Sequence, residues 1–230
     1  MKPPYHPIIY VRGFAATMSE IENTVASPYM GFNLGSTKLR QAHDGQPVRF
    51  IFESPLIRLM KDFGYCETYD RGDLIDSGFV ARQREAGRGD DLFRSIWVFR
   101  YYEQVSADLG TGDRVRIPEF ARDLKAYIHQ IRDLLCRTAA EKKNFKVYLV
   151  AHSMGGLICR CYLQTLPDNQ PSYVDKVFTY ATPHNGIDLG GINTPNLGAF
   201  DWFHTSNFNR KEMRRFLKIR EKGAEANSLD

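Results

Sequence analysis

Lys146-Val147-Tyr148-Leu149-Val150-Ala151-His152-Ser153-Met154-Gly155-Gly156-Leu157-Ile158-Cys159-Arg160-Cys161-Tyr162-Leu163 is the stretch that decides the fold. Its first six residues, KVYLVA, are a short apolar run and predict a buried strand. From Met154 to Leu166 the chain is apolar on nearly every face, which predicts a buried helix stopped by Pro167-Asp168-Asn169. Ser153 stands at the junction, with Ala151 two positions before it and Gly155 two positions after. A serine presented on a sharp strand-to-helix turn needs small residues at those two places, and Gly156 lets the helix pack closely against the sheet. The small-X-Ser-X-Gly string alone occurs widely by chance. The strand before it, the helix after it and the partner loop described below make it read as a nucleophile elbow.

Working outward, three further strands are predicted: Ile8-Ile9-Tyr10-Val11, the run SIWVFRYY at 95–102 and the run VDKVFTYA at 174–181. Runs that are apolar on both faces suit a parallel sheet with helices on both sides. Apolar residues at 117, 120, 121, 124, 128, 131, 134 and 135 predict a helix with Pro118 in its first turn. Alternation of strand and helix indicates an α/β class with βαβ crossovers, in one domain spanning residues 1–230. About 17–94 reads as an insertion after the first strand, packed over one end of the sheet. Within it Val48-Arg49-Phe50-Ile51-Phe52 predicts an extra strand, and Ser54 to Met60 a capped helix start. A tail or lid-like segment covers about 186–230, with a charged helix near Asn209 to Glu221.

The chemistry gathers at three places. Acyl transfer builds negative charge on a carbonyl oxygen, which preorganised backbone N–H groups can hold. The predicted donors are Met154, next after the serine, and Phe14, after the glycine of Tyr10-Val11-Arg12-Gly13-Phe14-Ala15. The third place is Tyr180-Ala181-Thr182-Pro183-His184-Asn185-Gly186, where Thr-Pro ends a strand and sets His184 near the mouth of the pocket. A structural loop histidine is the preferred reading of His184 over a catalytic base. Gly110-Thr111-Gly112-Asp113 follows no strand-to-helix junction and reads as a surface turn rather than a phosphate loop.

Composition removes several classes. The 230 residues are 43% hydrophobic and 25% charged, ordinary globular values that disfavour disorder, collagen and coiled coil. A net charge of +4 is too weak for a nucleic-acid-binding surface. Mean hydropathy is −0.41, and no apolar run approaches a membrane span. Met1 to Pro7 lacks the apolar core of a secretory signal, so a cytoplasmic location is expected. Four cysteines are no disulfide framework and are expected as small buried hydrophobes, with redox or metal roles as the alternative. The basic stretch Arg210 to Arg220, interleaved with Met213, Phe216, Leu217 and Ile219, reads as a solvated helix face or a piece of lid; peripheral contact with a lipid surface is the alternative.

The segments RGFA at 12–15, VYLVAHSMGG at 147–156 and ATPHNG at 181–186 resemble the α/β-hydrolase superfamily, and within it lipases, esterases and GPI inositol-deacylase-like hydrolases. The resemblance covers roughly 8–16 and 95–186. It implies a Ser-His-Asp triad, with Ser153 attacking a carboxylic ester, lipid esters included, through an acyl-enzyme and with no cofactor or metal. Arg12 departs from the His-Gly often found in the first loop, and Ala151 from the commoner glycine. The triad acid and histidine ordinarily follow the serine, at the ends of two later strands. After Ser153 the candidates are Asp175, Asp188, Asp201, His184 and His204, none on a clear strand end. The expectation is therefore an incomplete version of the fold lacking its last strands, with the acid and histidine beyond Asp230. Alternatives on the same scaffold are an acyltransferase or thioesterase, or a non-catalytic binding protein if the chain is complete.

Overall fold

The computed structural model describes residues 5–13, 36–41, 45–52, 55–68, 77–101, 116–166, 170–186, 188–189, 192–193, 209–217, 221–222 and 225–226. Its frame is a five-stranded, all-parallel sheet. The strands are β1 (Ile8–Val11), β4 (Cys66–Glu67), β5 (Ser95–Phe99), β6 (Val147–His152) and β7 (Val174–Tyr180), in the spatial order β4-β5-β1-β6-β7. Two further strands, β2 (Ser36–Gln41) and β3 (Pro47–Phe52), form a separate antiparallel pair in register Ser36 to Phe52. The helices are α1 (Pro55–Phe63), α2 (Ser77–Glu85), α3 (Ile117–Leu135), α4 (Ala139–Asn144), α5 (Met154–Thr165) and α6 (Arg210–Phe216). None of the described helices is long and apolar enough to cross a membrane.

Alternation along each strand sorts side chains onto the two faces of the sheet. Ile9, Val11, Trp97, Phe99, Val147, Leu149 and Ala151 join one cluster with Phe79 of α2, with Phe120, Leu124, Ile128 and Ile131 of α3, and with Leu157, Ile158 and Cys161 of α5. Ile8, Tyr10, Ile96 and Val98 point the other way, into a smaller cluster with Leu56 of α1 and Tyr65. Helices thus cover both faces. The spacing predicted for α3 is met, with Ile117, Phe120, Ala121, Leu124, Ile128, Ile131 and Leu135 buried and Leu134 partly so.

Strands β1, β6 and β7 begin and end within one residue of their predicted positions, whereas β5 ends at Phe99, short of the predicted 95–102, and Arg100 and Tyr101 leave the strand; Tyr102 and Ser54 lie outside the described residues. The stretch between β1 and β5 also contributes to the sheet. Its two-residue strand β4 adds to the edge beside β5, with Cys66 opposite Ser95 and Glu67 opposite Ile96. Hydrophobic patterning gives no warning of so short a strand. Its place is held by the Cys66 amide on the Arg94 carbonyl (2.9 Å) and the Thr68 amide on the Ile96 carbonyl (3.0 Å). Cys136, Cys159 and Cys161 are buried as free thiols, and Cys66 partly so. In the basic α6 helix, Met213 and the following Leu217 are buried in the core, which leaves the arginines as its solvated side.

The parallel register places one set of strand ends side by side. Val11 stands opposite both Phe99 and Ala151, and His152 opposite Tyr180. Residues 12–13, 100–101, 152–153 and 181–184 therefore leave the sheet at one edge. The chain lays its strands on one side of β1 and then crosses to the other, and crevices form outside the carboxyl ends of strands at such a reversal.

Leu149 lies at the centre of β6 and is fully buried. Leu149→Ala is expected to cost about 2–5 kcal/mol of folding stability. A urea titration showing the midpoint unmoved would contradict this account of the core.

Candidate active site

The edge is built around a turn that an L-residue ordinarily avoids. Ser153 caps the start of α5 with φ 51° and ψ −125°, between the extended residues of β6 and the helix. A positive φ on a non-glycine residue costs on the order of 1–3 kcal/mol and persists only where its surroundings over-determine it. Here they do: the Ser153 amide donates to the Tyr180 carbonyl at 3.1 Å, and the Ser153 carbonyl accepts from the Gly156 amide at 3.0 Å. The side chain is half-buried rather than walled off.

Glycines make the turn affordable sterically. A Cβ on Gly155 would stand 2.5 Å from the Arg12 carbonyl oxygen, with the Val11 carbonyl oxygen nearer still. Backbone therefore meets backbone between the first turn of α5 and the end of β1. A Cβ on Gly156 would collide with Thr182, 2.6 Å from its Cγ2. A Cβ on Gly13 would lie 3.0 Å from the Ser153 Cβ and 2.7 Å from the His152 Nδ1. The loop after β1 thus comes directly against the serine, although the sequence separates them by about 140 residues.

Met154, the second predicted donor, is buried as the first residue of α5. Amides in a helix's first turn have no intrahelical acceptor and carry the positive end of the helix dipole. Phe14, the other predicted donor, lies outside the described residues; Gly13 before it is described. Below the loop, the Tyr101 hydroxyl donates to the carbonyls of Arg12 (3.0 Å) and Gly13 (3.1 Å). Arg12 is fully buried.

Beside Ser153, the His152 ring stacks on Tyr180 with centroids 4.8 Å apart. The hydroxyls of Tyr180 and Tyr10 share a hydrogen bond of 3.2 Å. Burial pushes both phenols above their ordinary pKa, so they stay neutral hydrogen-bonding groups. The sequence reading does not single out this aromatic cluster; its signal is the alternation that puts Tyr10 of β1 and Tyr180 of β7 on one face of the sheet, with β6 between them.

The remaining predicted residues part company. His184 is held as a loop residue, its amide on the Thr182 carbonyl (2.9 Å) and its Nε2 at 3.3 Å from the Thr179 hydroxyl. Its Nδ1 is buried without a partner among the described residues. Asp175 sits at the amino end of β7, at the edge opposite Ser153, where its charge reaches His6. Asp188 lies in a two-residue strand, Asp188–Leu189, and Asp201 and His204 fall outside the described residues. Among the described residues, neither a histidine nor a carboxylate hydrogen-bonds to the Ser153 hydroxyl.

Two outcomes follow from this geometry. Ser153→Gly removes the positive-φ cost that Ser153→Ala keeps, so it should be the more stable of the two by about 1 kcal/mol in thermal unfolding, less the entropic penalty of glycine; the reverse order would deny the strain. The second concerns acid. Burial is the first cause lowering His6, His129, His152 and His184 from the ordinary 6.5. The unfolded chain then takes up protons that the folded chain refuses, so the contribution is whole above the unfolded pKa and is lost as pH falls. Stability should therefore drop between about pH 7 and pH 5, and His152→Gln should flatten part of that slope in urea midpoints measured at both pH values.

Residues 115–222, just under half of the chain, match the family model described as the PGAP1-like alpha/beta domain. No curated protein matches the chain. The match begins just before α3 and takes in β6, Ser153, α5 and β7. With the five-stranded parallel sheet covered by helices on both faces, it supports the resemblance to the α/β-hydrolase superfamily.

Proposed function

We propose that the protein is a serine hydrolase that cleaves a carboxylic ester through an acyl-enzyme, in the manner of lipases and esterases. The observation that carries this reading is the strained backbone of Ser153 at the head of buried α5, with the loop after β1 pressed against it. A protein that used Ser153 only for packing would gain nothing from a positive φ that glycine would adopt freely.

In this reading the Ser153 Oγ attacks the ester carbonyl carbon and gives its proton to a histidine. The carbonyl oxygen becomes an oxyanion between the amides of Met154 and Phe14. Loss of one such donor typically costs about 10²–10³ in rate. Collapse of the intermediate breaks the bond to the alcohol, which leaves with the histidine's proton. Water then attacks the acyl-Ser153 ester in the same way and releases the acid. The histidine and its acid partner come from outside the described residues. The half-buried rings of His152 and Tyr180 stand beside the serine, with Tyr180 hydrogen-bonded to the buried Tyr10, a largely apolar neighbourhood with polar tips that suits an acyl ester, including that of a lipid.

A fluorophosphonate probe should label the full chain at Ser153, and Ser153→Ala should remain unlabelled while folding normally. Wild-type protein that folds but takes no label overturns the reading. Product analysis with alcohol acceptors distinguishes the outcomes on labelled enzyme: free acid marks a hydrolase, and transfer to the alcohol marks an acyltransferase on the same nucleophile.

A further inference from the structure

We propose that Tyr101 is a positioning residue for the oxyanion site, setting the direction of the backbone amides that follow β1. This role rests on the hydrolase reading above. Tyr101 follows β5 and is almost fully buried, with its ring against Phe120 (centroids 4.6 Å) and Phe99 (5.7 Å). Its hydroxyl reaches two successive carbonyls of the loop, those of Arg12 and Gly13.

The consequence comes from peptide geometry. A trans peptide is planar and carries its C=O and N–H on opposite edges. No described peptide bond is cis. Turning the Arg12 carbonyl onto Tyr101 therefore turns the paired amide of Gly13 the other way, and the same hydroxyl holds the Gly13 carbonyl at the end of the described loop. Gly13 is also the point at which the loop meets Ser153 and His152. One phenol thus holds the Arg12–Gly13 peptide plane and the Gly13 carbonyl beside the nucleophile. Glycine would otherwise leave this loop free to rotate, since it restricts φ and ψ less than any other residue.

A matched control exists in the same core. Tyr127 of α3 is also buried, and its hydroxyl donates to the Val98 carbonyl at 3.0 Å, inside β5 rather than in the loop. Tyr101→Phe and Tyr127→Phe each remove one buried phenol hydroxyl from one core, but only the first releases the loop.

The test uses the full chain, a p-nitrophenyl ester and a boronic acid that forms a tetrahedral adduct on the serine. Tyr101→Phe should lower kcat by about 10- to 100-fold, part of the effect of losing a donor outright, with KM changed by less than about twofold. Boronate affinity should weaken by the same factor as kcat. Tyr127→Phe should leave kcat within about twofold of wild type at a comparable loss of thermal stability. 4-Aminophenylalanine at 101 keeps a para donor on the same ring and should restore most of kcat. If Tyr101→Phe does not fold, 4-fluorophenylalanine at 101 carries the same comparison. Equal kcat in the Tyr101→Phe and Tyr127→Phe variants overturns the role, as does a loss confined to KM. A wild type that neither labels at Ser153 nor turns over ester sinks the hydrolase reading and this role with it.

Discussion

Everything at the carboxyl edge of the sheet depends on one contact without side chains: the first turn of α5 resting on the carbonyls of Val11 and Arg12. Only glycine at 155 admits it. The approach draws the helix N-terminus over the end of β1, which brings Gly13 against Ser153 and leaves the serine no ordinary backbone conformation. The strain at Ser153 and the closeness of the two loops are thus one packing fact. Strain of this kind is retained because close-packed surroundings deform little, so a turn held by Tyr180 on one side and α5 on the other cannot relax by small shifts.

Electrostatics at this edge favour negative charge near the serine. The helix start at Met154 contributes the positive end of its dipole. The neighbouring rings do not compete, since burial keeps the tyrosines protonated and the histidines neutral. An oxyanion forming on a substrate would meet fixed dipoles rather than mobile charges, the arrangement that needs least reorganisation.

The four long strands, α3, α5 and the turn at Ser153 were legible because each rests on local chemistry. A parallel strand covered on both faces reads as an apolar run, and an amphipathic helix reads at its 3–4 spacing. Strand β4 was not legible, because two residues carry no periodicity and their pairing depends on Arg94 and Ile96 nearly thirty residues away. The role of Tyr101 was hidden for a related reason. In the run SIWVFRYY it looks like one more apolar strand residue, and its hydroxyl matters only where β1 lies alongside.

The sequence by itself determined the fold class, the place of the serine turn and the need for glycine around it, since these follow from residue type and near-neighbour spacing. Tertiary packing alone settles which distant backbone faces Ser153, which phenol holds that backbone, and that Asp175 stands at the opposite edge. Strand order and register are set by packing between segments far apart in the chain, and no local pattern encodes which strand end will lie beside which.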